Sequence, residues 1–217
     1  MISQVSDSEC QNESISNYVF ENCQLYDKTI TSRDDDDIFS GEYNDVKFIM
    51  NETDFGWNSN DKYHTYHSMF KGVAMQFKMH KAVKSRVLIV SKNSFTKIPS
   101  NYEKVSLEYN KFNKKYNVWV EKNAISASGQ IEARYLLNTA FLDRFMQLQT
   151  SFKVQKICCS IFGTDMLIML STRKDLFEMN HLLGRIDDVK QYRTLFDEFA
   201  SVLSFIDVLN ITSKTKL

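Results

Sequence analysis

The sequence predicts an α+β domain, an antiparallel sheet with its helices gathered in the second half of the chain. Three observations carry this. Strand-like alternation recurs from Ile38 to about residue 121, helical periodicity takes over near residue 130, and an apolar stripe at spacings of three and four runs from Val189 to Leu209. Runs of strands followed by runs of helices indicate segregated layers rather than alternating βαβ units. The expected architecture is a curved sheet or partial barrel closed by the terminal helix, as in pleckstrin-like domains.

The first 17 residues are polar and aperiodic. Residues 1–35 are therefore expected to form a polar, partly disordered segment, with Tyr18, Val19, Leu25 and Ile30 marking a short docked helix. Asp34–Asp37 reads as a solvated turn leading into a single folded domain over 36–212, and 213–217 reads as a disordered tail. Residues 38–43 and 46–50 flank Asn44-Asp45, a two-residue turn suited to a hairpin. Met69–Met79 reads as a long strand and Arg86–Val90 as a separate short one. Val105, Leu107 and Tyr109 share one face of a further strand, as do Tyr116, Val118 and Val120, with Trp119 opposite. The KFNKK stretch between them suits a turn of helix.

Ile131–Leu136 looks helical, and Asn138 or Thr139 offers the N-cap of a helix to about Thr150 with Phe141, Leu142, Phe145 and Leu148 inward. Residues 156–170 read as a hairpin turning at Gly163-Thr164-Asp165. Asp187 or Asp188 caps a last helix to about Asn210, whose inward stripe is Val189, Tyr192, Phe196, Phe199, Leu203, Ile206 and Leu209. Phe199 is the side chain expected to anchor that stripe.

At 217 residues, with 43% hydrophobic and 25% charged residues, the chain can bury a sufficient core without disulfides or metals. The net charge of zero is unevenly spread. Residues 1–60 hold thirteen acidic against three basic side chains, and residues 61–125 hold four against thirteen. Of the four cysteines, Cys10 and Cys23 sit in polar sequence, while Cys158 and Cys159 are neighbours in an apolar run and point to opposite faces of a strand. That usage, with no signal-peptide pattern and no apolar run of about 20 residues, suits a soluble protein of the reducing cytoplasm.

The motifs of common chemistries are missing from the sequence. The six glycines are scattered, so no phosphate loop forms, and neither a Gly-x-Ser-x-Gly elbow nor zinc-ligand spacing occurs. His64 and His67 are three apart in a loop or strand, which sends the rings to opposite faces. His80 lies among lysines and His181 stands alone, each without an orienting partner for base catalysis. Asp34–Asp37 splay around the backbone. No metal site and no cofactor are therefore expected.

Two candidate sites stand out. Lys71, Lys78, Lys81, Lys84 and Arg86 crowd one stretch beside Phe70 and Phe77, a composition that suits an anionic membrane surface, an acidic protein or phosphates. Glu132 and Arg134, two residues apart, form a candidate functional pair.

Four segments together resemble a bacterial family, the domain of unknown function 3137. They are Asp36–Gly41, Met69–Phe77 with its Phe70-Lys71-Gly72, Ile131–Leu142 (IEARYLLNTAFL), and Lys174–Glu178 followed by the terminal helix. Their order and spacing run over about 36–212. Members of the family often carry hydrophobic, membrane-spanning segments ahead of this body, which this sequence lacks, and Ala140 stands where a proline is expected. The resemblance implies the fold and transfers no activity.

The expectation is thus a non-enzymatic binding or scaffold domain, cytoplasmic and peripheral to the inner face of a bacterial membrane, with a protein or anionic lipid surface as partner. The alternatives are an enzyme of unrecognised type, or weak nucleic-acid binding through residues 71–86. The neutral net charge argues against nucleic acid.

Overall fold

A computed structural model describes residues 14–94, 96–122, 128–174, 177 and 189–214. In chain order its elements are α1 (Asn17–Asn22), β1 (Ser32–Tyr43), β2 (Val46–Asn58), β3 (Tyr66–Ser91), β4 (Tyr102–Val105), α2 (Asn110–Asn113), β5 (Tyr116–Glu121), α3 (Ser128–Leu136), α4 (Thr139–Ser151), β6 (Lys156–Ser171) and α5 (Val189–Lys214). All the strand pairs are antiparallel, and the class is α+β. The order is β1-β2-β3-β5-β4 with β6 added on β3. The sheet is open rather than closed into a barrel.

β3 is the spine. Phe77 pairs with Phe48 of β2 and Met166 of β6, and ten residues later Val87 pairs with Val120 of β5 and Ile161 of β6. Two expected strands are thus one 26-residue strand. The expected 156–170 hairpin is likewise a single 16-residue strand laid along it. The turn signal at Gly163 is a bend, with φ of 54° and Val83 opposite. There, four residues of β3 (79–82) lie between the paired positions against one of β6, Thr164. Bulges in one strand and a left-handed glycine in the other let both bend together without reversing. Gly72 is required for a different reason: at φ of 144°, an added Cβ would lie 2.1 Å from the Leu170 carbonyl oxygen.

The Asn44-Asp45 turn is as expected, with both residues at positive φ (49° and 62°) in a tight hairpin. Asp34–Asp37 differs. Rather than a solvated turn, it lies in β1 opposite β2, with a register shift between Asp36 and Phe39. Pleating sends alternate carboxylates to opposite sides, and Asp35 is held by a two-pronged Arg33 contact at 2.5–2.7 Å and by Asn51 at 3.1 Å.

Both sheet faces are covered. On one, Val73, Met75, Phe77, Val87 and Ile89 of β3 meet Ala133, Phe141, Phe145, Phe205 and Ile206 from the later helices. On the other, Phe70, Ala74, Leu88 and Val90 meet Ile15, Val19, Phe20, Cys23 and Leu25. The polar-looking leader thus supplies one wall of that core. Cys158 and Cys159 divide between the two faces, as do Trp119 and its neighbours Val118 and Val120.

Asn138 caps α4, its Oδ1 accepting from the Phe141 amide at 3.0 Å, and Phe141, Leu142, Phe145 and Leu148 point inward. The expected cap of α5 at 187–188 lies outside the described residues. The inward face of α5 follows expectation in its later turns and departs from it in the first ones. Val202, Phe205, Ile206 and Leu209 are buried and Phe199 and Leu203 half-buried, whereas Tyr192 is 49% and Phe196 72% exposed. Ile206 and Leu209 of the expected stripe are thus buried beside Val202 and Phe205 of the adjacent one, Tyr192 and Phe196 face out, and the Val189 side chain lies outside the described residues.

Phe205→Ala should therefore cost about 3–5 kcal/mol, and Phe196→Ala under about 1 kcal/mol, in urea unfolding. Equal costs would contradict this placement of the helix.

Candidate functional site

The bend separates the five predicted basic residues. Lys71 pairs with Asp54 at 3.3 Å, and Lys78 with Asp165 at 2.6 Å. Arg86 turns onto the second sheet face, where its side chain is 16% exposed and Nη1 lies 4.0 Å from Glu121. Its guanidinium sits 5.2 Å from the centre of the Phe162 ring. Lys81 and Lys84, with His80, are exposed at the bend itself. The linear cluster is thus two paired lysines, one inward arginine and one short cationic tip.

α3 braces that tip. Its inner face is Gly129 and Ala133, continued by Leu137 just past its end, all buried. A Cβ added to Gly129 would come 3.0 Å from Ser85 Oγ, so the helix rests close on β3. From this seat the Glu132 carboxylate accepts the Lys84 amide at 3.1–3.2 Å and the Ser85 amide at 3.3 Å. A carboxylate accepting backbone amides suits a bulged strand, whose ladder partners are missing. Arg134 faces elsewhere: Nε donates to the Ser106 carbonyl at 3.4 Å and Nη2 to Gln130 at 3.3 Å. The candidate pair is therefore brought to one helix but set to two tasks. Ile131 and Tyr135, on the outer face with Arg134, are 68% and 39% exposed.

Arg134 also borders an open cleft of about 540 Å³, with Ser106, Glu108, Tyr109, Asn138 and Thr139. The Tyr109 hydroxyl donates to Asp143 at 2.5 Å on this side of the fold.

Groups suited to catalysis do not converge among the described residues. No three His, Cys, Asp or Glu side chains gather there in a metal-binding arrangement. His64 occupies a left-handed turn position, and the His67 ring stacks on Trp57 at 4.3 Å. Burial pushes the Cys23 thiol up to about 12 and raises Cys158 and Cys159 as well, so all three are poor thiolates. Cys10 and His181 lie outside the described residues.

One titratable group escaped the sequence reading. Glu198 of α5 is buried, and its Oε2 makes no hydrogen bond. Burial raises its carboxyl to about 7 against the pull of Lys153. It lies on the side of α5 that meets α4, near a polar groove of about 360 Å³ bordered by Thr150, Lys153, Asp197 and Ser201. In sequence it is one acid beside another, Asp197, with nothing to separate the buried from the exposed one.

A family profile described as "Protein of unknown function (DUF3137)" matches residues 68–211, from the start of β3 into α5. A search of curated proteins found no match. Among solved structures, the mycobacterial trehalose monomycolate transport factor A, TtfA, is similar with a TM-score of 0.45 and 6% identity, over 84% of this chain and 76% of that one. A likeness of that degree carries no functional argument.

The Glu198 carboxyl has a folded value above its unfolded one, so the folded state holds the proton more tightly. Its favourable contribution is complete below about pH 4.5 and is lost as pH rises to about 7. Glu198→Gln should flatten that slope and stabilise the protein at pH 8 by about 1–3 kcal/mol. A variant less stable than wild type at pH 8 in urea unfolding would show that the charged form is the favoured one.

Proposed function

The chain belongs to the DUF3137 family of proteins of unknown function, and from that premise we propose that it is a non-enzymatic binding domain docking on an anionic membrane surface. The docking face is the bend of β3 together with the outer face of α3. One observation carries the reading: exposed Lys81 and Lys84 sit at a bend held by Glu132, on the helix that exposes Ile131, Arg134 and Tyr135.

The chemistry of that face suits a lipid interface. Each lysine or arginine near an anionic leaflet contributes about 1 kcal/mol. Tyrosine and arginine pair an apolar body with a polar end, so they rest at headgroup depth beside an inserted isoleucine. The Glu132 carboxylate would otherwise repel the surface, but it is turned into the β3 backbone. No helix among the described residues is long and apolar enough to cross a membrane, and the proposed attachment through this face is peripheral. The cytoplasmic leaflet carries the negative surface potential. On this reading the domain works at that inner face as a scaffold.

The full chain should co-sediment with phosphatidylcholine vesicles containing phosphatidylglycerol and not with phosphatidylcholine alone, losing binding as salt rises. Lys81→Glu with Lys84→Glu should weaken partitioning by about thirtyfold, since two contributions of about 1 kcal/mol are removed or reversed. Ile131→Ser should weaken it further. Equal binding to both vesicle types, or none to either, would overturn the reading. Salt-sensitive binding to DNA without vesicle binding would favour nucleic acid instead.

A further inference from the structure

α5 carries a second exposed apolar stripe that the membrane-docking face leaves unused. Tyr192 and Phe196 stand one turn apart, 49% and 72% exposed. They continue a seam through Phe199, Leu203 and Ile206 at spacings of four, three, four and three residues. This is the heptad pattern of a helix that packs against another helix. Among the described residues, α4 and the sheet cover only the later part of that seam. Beside the exposed rings, Arg193 and Asp197 are also exposed, one turn apart, and neither belongs to an ion pair found among the described residues.

We propose that a second copy of this chain covers this stripe, with the N-terminal halves of the two α5 helices crossing antiparallel about Leu195. A twofold contact requires a self-complementary patch, in which residue i meets j and j meets i. Arg193 and Asp197 meet that requirement: placed symmetrically about Leu195, each arginine faces the other copy's aspartate. The same axis also seats the rings. At about 1.5 Å rise per residue, Tyr192 lies about 4.5 Å to one side of the axis and Phe196 about 1.5 Å to the other. The four rings of two copies then alternate along the seam at intervals of about 3 Å, as interdigitating side chains must. One choice of axis thus satisfies the charges and the rings together, which a patch of unrelated origin has no reason to do.

The contact is small, so it belongs to the weak, concentration-dependent class of interfaces. Sedimentation equilibrium of the full chain should show a monomer–dimer equilibrium at roughly micromolar to millimolar concentration. Arg193→Asp and Asp197→Arg should each weaken association at least about tenfold, because two opposite-charge pairs become like-charge pairs. The double exchange Arg193→Asp with Asp197→Arg should restore it, and Phe196→Ser should abolish it with the circular dichroism unchanged. A wild-type chain that stays monomeric throughout would overturn the proposal. So would a double exchange that fails to rescue, or a Phe196→Ser variant that dimerises like wild type. Because Lys81 and Lys84 lie on another element, Lys81→Glu with Lys84→Glu should leave the dimer intact, separating this interface from the membrane reading.

Discussion

Everything in this fold is hung on the hydrogen-bond ladder between β3 and β6. β3 contributes to both hydrophobic cores, serves as partner to three other strands, and bends at the place where its basic residues emerge. A strand so long cannot stay flat, because strand twist accumulates along its length. The bulges between Lys78 and Val87, matched by Gly163, absorb that twist and turn the two halves toward different neighbours. The bend that relieves the geometry also leaves amides without ladder partners, and α3 answers with Glu132. The candidate docking face is therefore a by-product of how the sheet is completed.

The two faces of the sheet are covered by different means. Later helices bring large aromatic rings to one side, with Phe141 against both Phe145 and Phe205. On the other side a short leader brings Phe20 against Phe55, with Arg33 stacked 4.6 Å over the Phe20 ring. The leader also joins the network of Arg33, Asp35, Asn17 and Asn51. That network explains how so acidic a stretch can lie within a sheet: Asp35 is satisfied locally, and Asp34 and Asp36 are exposed.

Local features were readable from sequence because their causes are local. Asn44-Asp45 adopts the positive φ angles its side chains tolerate, Asn138 caps the helix it precedes, and Tyr116, Val118 and Val120 alternate as a half-buried strand must. The misreadings share a different cause. Gly163 marks a bend as readily as a reversal, and which occurs depends on a partner strand some eighty residues earlier. The stripe on α5 keeps its period into the first turns, where Tyr192 and Phe196 face out, and only packing decides where burial begins. The basic cluster was legible as composition, but its acidic partners lie far off in the chain: Asp54 for Lys71, Asp165 for Lys78, Glu121 for Arg86. Glu132 and Arg134 stand two apart and read as a pair, yet spacing could not reveal that they serve different neighbours. The burial of Glu198 has no sequence signature at all.

The pairing of β3 with β6 also sets the order in which the chain can assemble. Gly72 meets Ser171, 99 residues further along. Contacts of such sequence separation close slowly, since the entropy of a long loop must be met before any ladder bond forms. As the chain leaves the ribosome, β1, β2 and the first half of β3 can zip into a meander at once. The other edge of β3, rich in Val, Met, Phe, Leu and Ile, must wait with its amides and carbonyls open until residue 171 emerges. An apolar strand edge held open for that interval invites pairing with the wrong chain. The charges at its midpoint, Lys78, Lys81 and Lys84, interrupt that apolar edge, where charge discourages such pairing.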